Sequence, residues 1–145
     1  MTVEKIIEET IIRMGKEFAK NEGYKAVADI NGGMCEVFRD WVVTELSTLL
    51  PDIDEEIDCV CIRDYDFETM GGHPKPFDVL LEMPYHAWFT YNGKNYDVEA
   101  PNGVDYWFQL PFYKQFYDMN EAERKEIFDS FNEDSRAMQD WGLPV

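Results

Sequence analysis

No stretch of this chain is apolar for long enough to cross a bilayer, and cysteine, histidine and basic residues are all scarce. The first absence excludes an integral protein built on membrane-spanning helices. The opening segment MTVEKIIEET lacks a basic stretch followed by an apolar core, so no secretory leader is expected. Three cysteines, an odd number without framework spacing, exclude a disulfide scaffold. They point to free thiols in a reducing compartment, and the expected localisation is cytoplasmic. Against 30 acidic residues stand only 13 basic ones, for a formal charge of −17. Such a surface repels phosphate backbones, so direct nucleic-acid binding is not expected. The bland account of this charge is solubility. The sharper one is a non-enzymatic acidic protein, a nucleic-acid mimic that docks on a basic partner protein.

No repeat, low-complexity tract or linker divides residues 1–145, so a single domain with one core is expected. Hydrophobic residues supply 45% and aromatics 15%, which is enough for a rich core and argues against disorder. Val3, Ile6, Ile7, Ile11, Met14 and Phe18 recur at helical spacing, predicting a helix from Val3 to about Asn21 with Thr2 as its cap and Gly23 as its stop. Asn31-Gly32-Gly33 reads as a turn. After it Met34, Val37, Phe38, Trp41, Val42, Leu46 and Leu49 mark one face of a second helix, which Pro51 ends. An acidic loop from Asp52 to Asp58 leads into an expected strand, Cys59 to Ile62. Residues 63–78 read as an exposed loop.

The strongest β signal is Tyr85 to Tyr91, then Asn92-Gly93, then Lys94 to Glu99: two aromatic-rich runs around a hairpin turn. Near the end, Asn120 followed by Glu123 resembles a capping box opening a helix that buries Ile127, Phe128 and Phe131. Two helices, a group of strands and a last helix make an α+β order.

The hairpin carries a geometric consequence. With Asn92-Gly93 as a two-residue turn, Tyr91 faces Lys94, Trp88 faces Asp97 and His86 faces Glu99. Opposed residues share a face, so His86, Trp88, Asp97 and Glu99 lie together. Asp97 is the diagonal neighbour of His86, within reach of a carboxylate–imidazole hydrogen bond that fixes the tautomer and raises the basicity of the ring. Cys35 is expected at the second or third position of the second helix, at the edge of its buried face. Unpaired N–H groups and the helix dipole there favour a thiolate, and the same N–H groups can stabilise an oxyanion. A thiolate, an imidazolium and an orienting carboxylate make a nucleophilic triad.

The run NGGMCEVFRDW, followed further along by HAWFTYNGKNYDVEAPNGV, resembles the core of the transglutaminase-like and papain-like cysteine enzymes over roughly residues 31–104. The order Cys, His, Asp, the His-x-Trp and the Tyr-Asp of the second strand all match. The whole is similar to small phage-encoded proteins of this kind. The resemblance implies a papain-like or transglutaminase-like fold: an N-terminal helix, a Cys-bearing helix packed on a small antiparallel sheet, and a C-terminal helix. It implies Cys35 as nucleophile, His86 as general base and Asp97 as the orienting acid. No upstream glutamine for a papain-style oxyanion hole is present; Asn31 or Tyr24 is the substitute considered. Trp88, Asn31 and Glu99 are the candidate substrate-binding residues, Trp88 lining an apolar cleft and Glu99 standing in reserve for Asp97.

Each residue also has a plainer reading. Cys35 alone reads as a buried structural thiol, His86 as a packed core histidine, Asp97 as a solvated carboxylate beside a turn. Their shared face and order favour the triad. Cys59 and Cys61 with His73 and His86 would supply four zinc ligands, but Cys-x-Cys on a strand is a poor clamp, and no metal or other cofactor is expected. The acidic cluster Asp52, Asp54, Glu55, Glu56 and Asp58 lacks the central glycine of a calcium loop. The aromatic run from Tyr106 to Tyr117 reads mostly as core, helped by Pro111, with some of it lining an apolar cleft beside the active site, and Gly71-Gly72 as an ordinary loop or the hinge of a lid. The enzymatic expectation is acyl transfer through a thioester, acting on a protein, peptide or small amide as peptidase, deamidase, amidase or transglutaminase-like enzyme. The alternative is the acidic binding protein.

Overall fold

The computed structural model describes residues 1–62 and 85–115, with 119–120, 122–123 and 125–126. Helix α1 spans Val3–Glu22. It starts where predicted because the Thr2 hydroxyl accepts the Lys5 N–H at 3.1 Å, satisfying one of the orphan donors of the first turn. It stops because Gly23 takes the left-handed φ of 73° and returns its N–H to the last turn. Ile7, Ile11, Met14 and Phe18 are buried as expected, with Val3 and Ile6 packed at the margin.

The expected turn at Asn31-Gly32-Gly33 is instead the end of a 3₁₀ helix, Val27–Gly32, whose Asp29 carboxylate accepts the Ala26 N–H. The Met34 N–H bonds the Ile30 carbonyl at 2.9 Å, and helix α2 follows as Cys35–Leu49. Two expectations need correction here. Cys35 is the first residue of the helix, not its second or third, and it lies on the buried stripe itself, with Phe38, Val42 and Leu46. Val37, Trp41 and Leu49, predicted to share that face, are exposed. The fully buried row at three- and four-residue steps is narrow; Val37 lies round the flank, and Trp41 touches Phe18 of α1 only from the margin.

The acidic segment holds a short 3₁₀ turn, Ile53–Glu55, with Ile53 buried and Asp54 accepting the Ser47 hydroxyl. Strand β1 runs Ile57–Cys61, starting earlier than predicted because Ile57 joins the core. Strands β2, Ala87–Tyr91, and β3, Lys94–Tyr96, form the expected hairpin. Asn92 and Gly93 have φ of 49° and 78°, the paired positive values that a type I′ turn requires. The register is Tyr91 to Lys94, as derived above, then Thr90 to Asn95 and Phe89 to Tyr96; the expected pairs Trp88 to Asp97 and His86 to Glu99 do not form, because His86, Asp97 and Glu99 lie outside the strands. The antiparallel order is β1-β2-β3. The ladder ends at Tyr96, since Asp97 opens a turn in which its carbonyl accepts the Ala100 N–H.

The sheet divides two cores. Phe89 and Tyr96 pack with α1 and α2, whereas Trp88 packs with Ile62, Ala100, Trp107, Leu110, Phe112 and Tyr113. Asn95 ties the second core to β3: its side chain accepts the Trp88 indole N–H at 2.9 Å and donates to the Val104 carbonyl. Helix α3, Pro111–Lys114, opens on the proline, where a missing N–H costs nothing. At Asn120 the predicted cap is present, its Oδ1 accepting the Glu123 N–H at 2.9 Å. Ile127, Phe128, Phe131, the 63–78 loop with Gly71-Gly72, and His73 lie outside the described residues. The architecture is α+β, helices around a small antiparallel sheet. Among the described residues no helix is long and apolar enough to cross a membrane.

Candidate active site

His86 stands one residue before β2, fully buried. Its Nε2 lies 2.9 Å from Oδ2 of Asp97, which is itself 4% exposed. A carboxylate only accepts, so Nε2 carries a proton, and Nδ1 is the nitrogen left for chemistry. Asp97 is held on its other side, Oδ1 accepting the Glu99 N–H at 2.9 Å. That turn is why the side chain points along the diagonal predicted from the register.

The thiol of Cys35 interacts with the His86 ring. Nδ1 makes no hydrogen bond that meets ordinary geometry, and the Cys35 thiol is the titratable neighbour that, with Asp97, sets the protonation of the ring. Burial pushes the Cys35 thiol up, but the His86 contact, the imidazolium charge and the N–H groups of Ala87 and Glu36 outweigh it, and the net direction is down from 9.0. For His86, burial pulls down, while the Asp97 bond and then the Cys35 contact and charge lift it from 6.5 to about 9. The two shifts run in opposite directions and belong to one coupled Cys35–His86 pair. In a water-poor setting such charges act strongly on each other.

Aromatic rings form the walls. Phe112 lies flat on the imidazole, centroids 4.3 Å apart and 4° from parallel, and Tyr113 meets it edge-on. Trp88 stacks at 5.7 Å from the imidazole but is completely enclosed, so the expectation that it lines an open cleft is corrected: it is core. Asn31 is also buried. Its amide donates to Glu99 at 2.9 Å and approaches Asp97 at 3.5 Å, so its partners are carboxylates and not the neighbourhood of the sulfur expected of an oxyanion donor. Tyr24 packs against the α1–α2 core. Glu99 is half-buried and reaches Asn31; Asp97, not Glu99, takes the histidine.

The Glu36 N–H faces the sulfur, as expected of the helix start, and Phe112 of the aromatic run closes over the ring. Two contributors escape the sequence reading: Tyr85, which donates to Glu36 at 2.7 Å beside Cys35, and the Ala87 N–H, which also faces the sulfur. Cys59 is exposed and Cys61 half-buried. Among the described residues no group of three or more His, Cys, Asp or Glu is arranged to hold a metal ion. A surface groove of about 560 Å³ includes Lys94, Phe108 and Lys114 and shares no residue with this site. Comparison with protein-family models, curated proteins and solved structures returns no match for this chain.

Proposed function

We propose that this chain is a thiol-dependent acyl-transfer enzyme on a papain-like or transglutaminase-like core. The observation that carries the reading is the 2.9 Å Asp97–His86 bond, which commits Nε2 and leaves Nδ1 to the Cys35 thiol. The Cys35 thiolate attacks the carbonyl carbon of an amide or ester, forming a C–S bond and pushing electrons onto the oxygen. Cys35 is the first residue of α2, where an N–H has no intrahelical acceptor, and that N–H is the first oxyanion donor. As the oxyanion collapses, the bond to the leaving amine or alcohol breaks and His86 supplies the proton it needs. Water or an amine then attacks the thioester, His86 takes the proton back, and Cys35 is released. Asp97 holds the ring throughout. The three side chains balance every proton, so the cycle calls for no cofactor.

The test is a trapped acyl-enzyme. Intact-mass measurement after exposure to small activated esters is expected to show one acyl adduct, on Cys35, removed by hydroxylamine and absent in Cys35→Ser. Acylation of Cys59 in preference to Cys35, or no adduct at any pH, overturns the proposal.

A further inference from the structure

Asn31 is the penultimate residue of the 3₁₀ segment that leads into the Cys35 helix, while Asp97 and Glu99 belong to the turn after the hairpin. These two parts of the chain meet through one buried amide. Its nitrogen donates to Oε1 of Glu99 at 2.9 Å and lies 3.5 Å from Oδ2 of Asp97, the same oxygen that binds His86. A buried amide with both N–H groups turned on carboxylates is costly to arrange and is not repaid by packing alone. We propose that Asn31 and Glu99 act as a positioning pair: Asn31 latches the Cys35 segment to the Asp97–Glu99 turn and keeps a second negative charge beside the imidazolium. This rests on the triad read above.

The physical case has two parts. Two carboxylates lie side by side here with little water, and their repulsion favours protonating one of them. Glu99 is the one affected: burial pushes its carboxyl up, the Asn31 bond draws it back, Asp97 raises it and His86 lowers it. Remove the amide and Glu99 takes up a proton more readily, withdrawing its charge from the ring. The second part is geometric. Among the described residues the Asn31 amide is the direct polar tie from the segment before α2 to the Asp97–Glu99 turn, while Tyr85–Glu36 and the Ala87 N–H tie α2 only to the His86 side. The groups facing this set are Cys35 and Glu36 from α2, Tyr85 before β2, Asp97 and Glu99 from the turn, and Tyr113 from α3.

The experiment follows the pH profile of Cys35 alkylation by iodoacetamide, read on the Cys35 peptide by mass spectrometry. It is paired with imidazole NMR titration of His86, one of two histidines in the chain. Asn31→Leu and Glu99→Gln are each expected to raise the alkylation midpoint by about half a pH unit and to lower His86 correspondingly, a modest effect for a neighbour not bonded to the ring. Adding Asn31→Leu to Glu99→Gln is expected to add little, because both remove the same charge. Asn31→Gln, which keeps the donor on a longer stem, serves as the conservative partner and is expected to recover part of the shift. A purely structural role predicts lost stability with unmoved midpoints, and additive effects in the double variant would equally sink the pairing. An ordinary thiol profile in the wild type, by contrast, defeats the triad itself.

Discussion

Replacing Asp97 by Asn removes one negative charge and almost no volume. His86 is lifted from 6.5 to about 9 in spite of complete burial, which corresponds to about 3 kcal/mol in favour of the imidazolium. The Asp97 bond is the largest contribution working against burial, ahead of Cys35. A directly bonded opposite charge moves a titration by about one to three pH units. Asp97→Asn is therefore expected to drop His86 below neutrality and to raise the midpoint of Cys35 alkylation by about two pH units, several times the effect of Glu99→Gln. Short iodoacetamide pulses across mildly acid to mildly alkaline pH, analysed peptide by peptide, separate the three thiols. Cys59 is the reference: partial burial raises it, Arg39 draws it back in part, Asp40, Asp58 and Asp54 raise it again, and none of these is near Asp97 in the hydrogen-bond network. Because Cys35 is buried, the midpoint and not the absolute rate is the quantity to compare. An unmoved Cys35 midpoint in a variant with native circular dichroism would refute the role given to Asp97.

The remaining predictions concern the fold and the pair. The raised His86 stabilises the fold fully below 6.5, and that contribution is lost as pH rises to about 9. The lowered Cys35 contributes above 9.0 and loses its share as pH falls through its folded value. Where both are charged, folded and unfolded pairs hold the same one proton, so denaturant midpoints are expected to be flat with pH. Cys35→Ser leaves His86 uncompensated, and stability is expected to fall with pH by up to about 1.4 kcal/mol per pH unit; identical urea midpoints for the two proteins across this range count against the ion pair. Gly15→Ala would bring a Cβ to 2.9 Å from the buried Val98, and the overpacking, at about 1–3 kcal/mol, is expected to exceed the helix propensity gained, as thermal melts will register. Leu46→Ala, at a site with no exposure, is expected to cost about 2–5 kcal/mol, whereas Val37→Ala, 52% exposed, is expected to change stability by about 0.5 kcal/mol or less; equal costs in chemical denaturation would overturn the corrected α2 stripe.

What could be read from the sequence was local. Thr2 and Gly23 bound α1 because caps act within a turn of themselves. Asn92-Gly93 fixes the pairing from Tyr91–Lys94 to Phe89–Tyr96, which brings His86 and Asp97 near each other, and the turn after β3 completes their meeting. What could not be read depended on distant partners. Val37 and Trp41 are as apolar as Val42, and only the placement of α1 and the sheet decides which is covered. Asn31 has no sequence neighbour to announce it, since its bonds reach Asp97 and Glu99 across the fold. Trp88 looked like cleft lining because alternation assigns a face and says nothing of what lies against it. Here that is the second core.

The flat contact of Phe112 on His86 has a consequence in time. A ribosome-bound chain that has not yet reached Phe112 already holds the sulfur, the imidazole and the acid, but not the apolar wall that keeps water from between them. On the proposed function, the wall over the imidazole is thus the last part of the site to be synthesised.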